Sequence, residues 1–280
     1  MTGFGAGQAA DLIVGSVVGA DLDDLRFYNR ALEGGEVCTT LLRGQLNAAG
    51  ACVPLLPGFE LDFENNVVRD TGSWNLGFVS PSPALISFVP TRLGNGMKLG
   101  TGQEPFGITQ GFAAQMNAAP GHSFSFWFVA GATDQDTMID FLHLCAAGAP
   151  ISCGVRVTYG TASGLTVAAA ANSTSVISKS IAVASGPHSV VVTEQKADAN
   201  GTTQSLTVYV DGVATVMPIG TGNVYANPSD TVQLPHAAGT TVDEIEFWPR
   251  DLSKDAETLC ENGWDGEWNP ATATCLLTSN

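Results

Sequence analysis

Two segments at opposite ends of the chain carry one pattern. Residues 22–38 read LDDLRFYNRALEGGEVC, and residues 242–260 read VDEIEFWPRDLSKDAETLC. Aligned on Asp23 and Asp243, the aromatic pairs Phe27–Tyr28 and Phe247–Trp248 coincide, as do Arg30 with Arg250 and Leu32 with Leu252. Each copy reaches a cysteine that is followed by another, Cys38 by Cys52 and Cys260 by Cys275. A closing pattern that occurs twice, once almost where the chain begins, predicts one complete unit preceded by the end of another. The expected division is residues 1–55 and residues 56–280.

The size fits that division, since 280 residues hold one large β domain or two ordinary ones. A hydrophobic content of 44% is ample for a packed core. No apolar run approaches the roughly 18 residues of a membrane span, so insertion into a membrane is not expected. The formal charge is −16, with only 11 Lys and Arg. Such a surface repels phosphate backbones and anionic lipid, which argues against nucleic acid as a partner. It also offers oxygen ligands to hard cations such as Ca2+, although acidity alone fits a saline habitat equally well.

Six cysteines allow about 15 full pairings. The repeat makes Cys38–Cys52 and Cys260–Cys275 equivalent. Cys145 and Cys153 remain, at the two ends of CAAGAPISC, where a hairpin would set them opposite each other. No CxxC or histidine-rich spacing suggests zinc. Three disulfides place the chain in an oxidising compartment, secreted or at the cell surface.

Strand signals dominate the rest. FELDF alternates Phe59, Leu61 and Phe63 against Glu60 and Asp62, and HSFSFWFV sets Phe124, Phe126 and Phe128 opposite Ser125 and Trp127. GLTVAAAA and SVISKSIAVA flank NSTS, while HSVVVTEQ and LTVYVDGV follow, the latter ending in an Asp211–Gly212 turn pair. Frequent Gly (32) and Pro (14) punctuate these runs, as a sandwich requires. One short helix is expected, with Ser253 capping KDAETLCEN, and a weaker one in ALEGGEVCTTLL. Residues 49–58, AGACVPLLPG, read as a linker.

At this point the sequence resembles the LamG-like jelly rolls of the concanavalin A-like lectin/glucanase superfamily. LDDLRFYNRAL matches that family's closing strand, and VDEIEFWPRDL matches with departures at Glu246 and Pro249. LDFENNVVRDTGSWN looks like the opening strand and turn, and LGNGMKL, HSFSFWFVA and PHSVVVTEQ…LTVYVDGV look like later strands in family order. The resemblance implies an all-β antiparallel two-sheet jelly-roll sandwich with one or two short helices over residues 56–280. Residues 1–55 would then be the last strands, helix and disulfide loop of a preceding LamG-like repeat. The chain is a fragment of a tandem array, or these orphan strands pair with a neighbouring subunit by strand donation or swapping, or they extend the edge of their own sandwich.

Chemistry is sparse. Glu244 and Glu246, two apart on a strand, share a face, as a retaining glycosidase pair would. The third acid of the E-x-D-x-E pattern is replaced by Val242, and the counterpart of Glu246 in the first copy is Arg26. A solvated outer face is the expected account, and no enzyme activity is expected. His122, His143, His188 and His236 have no companion motif. Asp243 is expected to share a face with Ile245 and Phe247. An inward carboxylate there, with Asp70 and Asn75 from the turn RDTGSWN, forms the candidate set for a structural Ca2+. The competing account is an aspartate satisfied by backbone N–H groups. For carbohydrate stacking the candidates are Trp127, which points away from the phenylalanines, and Trp264 and Trp268 in the Cys260–Cys275 loop.

The expectation is therefore a non-catalytic extracellular repeat protein acting in adhesion, surface structure or recognition, with a glycan or protein ligand at the cell surface. Its alternative is a carbohydrate-binding, lectin-like module of a larger secreted protein.

Overall fold

The computed structural model describes residues 30–34, 37, 44–46, 52–54, 57–74, 76–79, 86–91, 94–99, 107–110, 121–129, 136–140, 154–172, 175–196, 203–219, 232–233, 240–254, 259–260, 266–269 and 274–277. The chain divides into two units, residues 1–55 and 56–280. In the first, the Val37 N–H donates to Glu33 O at 2.9 Å, closing a helical turn. Strands β1 (Gly44–Leu46) and β2 (Cys52–Pro54) pair antiparallel. The stretch expected to be a linker thus contains a strand, because Val53 can pair with Gln45 across the sheet. The strands expected near residues 11–16 and 20–28 lie outside the described residues.

The second unit runs β3 (Phe59–Asp62), β4 (Arg69–Asp70), β5 (Gly77–Val79), β6 (Ile86–Pro90), β7 (Asn95–Leu99), β8 (Gly107–Gln110), β9 (Ser123–Val129) and β10 (Asp136–Asp140). It continues through β11 (Val155–Gly160), β12 (Gly164–Asn172), β13 (Ser175–Ile181), β14 (Pro187–Lys196), β15 (Thr203–Val210), β16 (Val213–Pro218), β17 (Val232–Gln233), β18 (Thr241–Trp248), β19 (Gly266–Asn269) and β20 (Thr274–Leu277). One sheet has the order β16-β15-β14-β9-β18-β3-β4, with β7 also beside β18 and β6 beside β7. The other has the order β13-β12-β11-β10-β17-β8-β5. All these pairings are antiparallel. The second unit is a two-sheet antiparallel β-sandwich.

Alternation explains the core. Phe124, Phe126 and Phe128 of β9, Phe59 and Leu61 of β3, and Phe247 of β18 project into the space between the sheets, each at most 1% exposed. Val155, Val157, Leu165 and Val167 meet them from the second sheet. The expected phenylalanine face of β9 is the inner one. The Asp211–Gly212 pair turns β15 into β16 with φ of 49° and 79°, the doubly left-handed geometry of a tight hairpin.

The segment after β18 folds back onto the outer face of the first sheet. Leu252 and Leu259 pack there with Val191 and Trp248, and the Arg250 guanidinium lies 5.4 Å from the Trp248 ring centroid. Ser123 pins the segment, its hydroxyl donating to Arg250 O at 2.8 Å and accepting from Leu252 N–H at 3.0 Å. The Arg-x-Leu of the closing pattern therefore covers the back of the sheet. A short 3-10 turn, Leu252–Lys254, replaces the start of the expected helix. Asp251 caps this turn, accepting from Ser253 N–H at 3.0 Å, while residues 255–258, which the expected Ser253 cap would serve, lie outside the described residues. Cys260 and Cys275 are disulfide-bonded, and β19 and β20 form a hairpin within that loop.

Candidate functional site

The functional features gather on the outer face of β18, and a single irregularity puts them there. Strict alternation would leave Val242 outside and Asp243 inside. Instead a β-bulge falls between Asp243 and Glu246, with Glu244 in the left-handed region at φ 47°. The extra residue keeps Val242, Ile245 and Phe247 all in the core. Asp243 consequently pairs with Trp127, and Glu246 with Ser125, on the outer side. The expectation that Asp243 shares the face of Ile245 and Phe247 is thus corrected, since burying three apolar side chains outweighs the strain of one left-handed residue. The bulge sits where the neighbour of β18 changes, from β7 at Thr241–Val242 to β3 at Ile245–Phe247.

On the β7 side of the bulge lies a pocket lined by Thr91, Trp127, Val129, Pro187, Thr241 and Asp243, with Phe128 and Val242 behind them. With the solvent at its mouth it spans about 260 Å³. Asp243 is 2% exposed and its carboxylate is doubly engaged. One oxygen accepts from the Glu244 N–H at 3.0 Å, and the other accepts from the Thr91 hydroxyl. Thr91 is held by a turn in which its own N–H donates to Gly94 O at 2.8 Å. A β-carbon on Gly96 would overlap both Thr91 and Thr241, so only glycine lets these two hydroxyl-bearing residues close the wall. Burial pushes the Asp243 carboxyl up to about 6, despite the two donors that oppose it.

On the β3 side the carboxylates of Glu60, Glu244 and Glu246 converge, with one oxygen of each within 4.8 Å of the others. Glu60 stands directly across from Glu246 in the β3–β18 pairing. Glu246 is buried and accepts from the Ser125 hydroxyl at 2.7 Å. Desolvation raises Glu244 and Glu246 to about 8, reinforced by repulsion from Asp243 and Glu246 on the one and from Glu60 on the other. Glu60 is raised by burial as well. This is not the solvated face expected for Glu244 and Glu246. It is a partly buried acid cluster in which burial favours the protonated forms of Glu244 and Glu246.

The other expected residues are dispersed. Asp70 Oδ1 accepts from Glu60 N–H at 3.1 Å and from Gly72 N–H at 2.8 Å, bracing the turn after β4. Asn75 lies outside the described residues, as do Trp264, Cys38, Cys145 and Cys153. Trp268 falls in β19 and Cys52 in β2. The structure brings Trp127 and Asp243 together, a pairing absent from the sequence reading because it depends on the bulge. Glu60 was also missed, since nothing local to FELDF reveals its partner on β18. The one available signal was that alternation in VDEIEF forces either a valine out or an aspartate in.

No family model and no curated protein matches the chain. Among solved structures it is similar to one of botulinum neurotoxin type C, whose passage into cells depends on interaction with two ganglioside molecules. The identity is 16% and the TM-score 0.55, over 73% of this chain and 50% of that one. The binding domain of botulinum neurotoxin DC is similar in complex with SialylT, at 16% identity and TM-score 0.54 over 72% and 50% of the two chains. The same domain in complex with rat synaptotagmin II aligns at 15% and 0.52, over 70% and 49%. The chain thus spans about half the length of these structures. The likeness is one of fold. It is the jelly-roll sandwich that is shared.

Proposed function

We propose that the chain is a non-catalytic, LamG-like recognition module of the extracellular space, and that it binds a glycan at the Trp127–Asp243 pocket. The observation that carries this reading is the pocket itself. It joins an indole edge, a buried carboxylate and two threonine-bearing walls within one small concavity. A sugar offers the matching pair of surfaces, C–H groups for the aromatic wall and a hydroxyl to donate to Asp243. Because Trp127 is only 8% exposed, the pocket fits a terminal substituent rather than the full face of a pyranose ring. Neurotoxin domains of the same fold engage a ganglioside, SialylT or a protein, which supports a binding role. The Cys260–Cys275 disulfide supports an oxidising compartment.

The acid cluster does not favour catalysis. Its three glutamates lie outside the pocket's lining, and Glu246 is buried against Ser125. A retaining pair needs an ionised nucleophile and a protonated acid flanking an accessible bond. Asp70 and Asp243, the described members of the candidate Ca2+ set, accept from separate protein donors, so the reading does not require that ion. A glycan array probed with the full chain, with Ca2+ and with a chelator, tests the reading. Selective binding in both conditions, lost in Asp243→Asn and Trp127→Phe variants that melt like the parent, is the expected result. Binding that survives both substitutions would refute the assignment of the pocket.

A further inference from the structure

We propose that His188 is a proton-operated brace behind the pocket, stiffening its Phe128–Pro187 wall when the ring carries two protons and releasing it when one is lost. The His188 side chain opens β14, directly after Pro187, and is itself almost buried. Its Nδ1 lies 2.7 Å from Asp211 Oδ2, and its Nε2 lies 2.7 Å from Ala184 O. A carboxylate and a peptide carbonyl both accept and neither donates. Two hydrogen bonds of this length require both ring nitrogens to donate, which is the imidazolium form. The ring also stands 5.5 Å from the Phe128 ring, and Phe128 and Pro187 both line the pocket.

Asp211 links this contact to the hairpin. Its backbone occupies the left-handed first turn position, its Oδ1 accepts from Ser189 N–H at 3.0 Å, and its own N–H donates to Ser189 O at 3.1 Å. His188 therefore ties three pieces together: the β15–β16 turn, the segment before β14, and the core aromatic beneath the pocket. Among the described residues, Asp211 is the ionisable group that faces it; Phe128 from β9 and Ala184 present a ring and a carbonyl. The bond to Asp211 raises the His188 pKa above its ordinary 6.5, with burial opposing and the Ala184 carbonyl assisting.

Loss of one proton leaves a neutral ring with one N–H. One of the two contacts then sets lone pair against lone pair, and the ring must withdraw from it. Pro187, joined to His188 by a peptide bond, moves with it. A folded-state pKa above the unfolded value means the brace is fully present below the unfolded pKa. It is lost as pH rises through the folded one.

The consequence for ligand binding rests on the pocket being the binding site, so the test is designed to read the brace without a ligand. Long-range proton–nitrogen spectra of the labelled full chain, recorded from about pH 5.5 to about pH 9, follow the His188 ring and the Trp127–Val129 amides together. The account expects both ring nitrogens protonated at neutral pH, a midpoint above 6.5, and the same midpoint in the three amides. His188→Gln should remove from the amide titration the step at the His188 midpoint, leaving the step that Asp243 contributes at about 6, and Asp211→Asn should move the His188 midpoint down. A singly protonated ring at neutral pH, or amides indifferent to it, overturns the proposal. Should the titration appear as expected while no sugar binds, the brace stands and the glycan assignment fails. Should sugar bind, its affinity is expected to fall severalfold across the same midpoint in the parent, and His188→Gln is expected to lose that step while keeping any change set by Asp243 at about 6.

Discussion

The two faces of the nine-stranded sheet are built on opposite terms. The inner face is mostly apolar, with Phe59, Leu61, Phe124, Phe126, Phe128 and Phe247 at most 1% exposed, and at its end Glu194, in the same alternation as Val190 and Val192, is buried against His122 at 2.7 Å. The outer face is also largely buried, yet it carries Ser123, Ser125, Asp243 and Glu246. Burial on the inner side is self-sufficient, because each methylene removed from water stabilises by roughly 0.8 kcal/mol. Burial on the outer side needs compensation group by group. A hydroxyl answers each of Asp243 and Glu246, protonation favoured by burial answers Glu244 and Glu246, and the closing segment covers Trp248. The lesson is that the apolar part of the inner face sets the fold, while the buried polar groups, most of them on the outer face, each need a partner of their own.

The sharpest way to break this contrast is to delete an inner aromatic. Phe247→Ala removes a ring packed 5.7 Å from Phe124 and 6.0 Å from Phe59. It should cost about 3–5 kcal/mol in denaturant unfolding. If the loss were under about 1 kcal/mol, the inner face would not be the core. Opening the Cys260–Cys275 loop by Cys275→Ser should cost about 3 kcal/mol, by the loop-entropy estimate, and leave a buried Cys260 thiol that labels on unfolding.

Outer-face changes should be smaller and pH-dependent. Glu244 and Glu246 are raised from 4.5 to about 8, so the folded state holds protons that the unfolded state has released. Stability should be greatest in mild acid and fall as pH rises from about 4.5 to beyond 8. Glu246→Gln keeps an acceptor for Ser125 and removes the charge. It should flatten the decline, gaining on the order of 2 kcal/mol over the parent at alkaline pH. A parent curve that is level over this range contradicts the acid cluster. The smallest effect is expected from Glu244→Gly, which relieves a left-handed backbone and should add up to about 1 kcal/mol at neutral pH.

The inner face was legible in the sequence, since FELDF and FSFWFV alternate without interruption and their phenylalanines could only face inward. The order of the strand motifs anticipated the sandwich. The site was legible only in its members. Trp127 was singled out because it opposes the phenylalanines, and Asp243 because it opens the closing strand. What joined them was invisible to alternation, because a bulge shifts every side chain before it to the other face. Glu60 needed knowledge of which strand lies beside β18, and pairing at a sequence distance of almost the whole domain is not written in any local window. His188 was dismissed for want of a companion motif. Its companions, Asp211 and the Ala184 carbonyl, arrive through a hairpin and a backbone atom, neither of which a motif search registers.

The most direct test of the central claim is a crystal structure of the chain with the best-binding glycan from the array. The account predicts sugar density between Trp127 and Thr91, with a hydroxyl donating to Asp243. Density instead beside the Cys260–Cys275 loop, at Trp264 or Trp268, would contradict it.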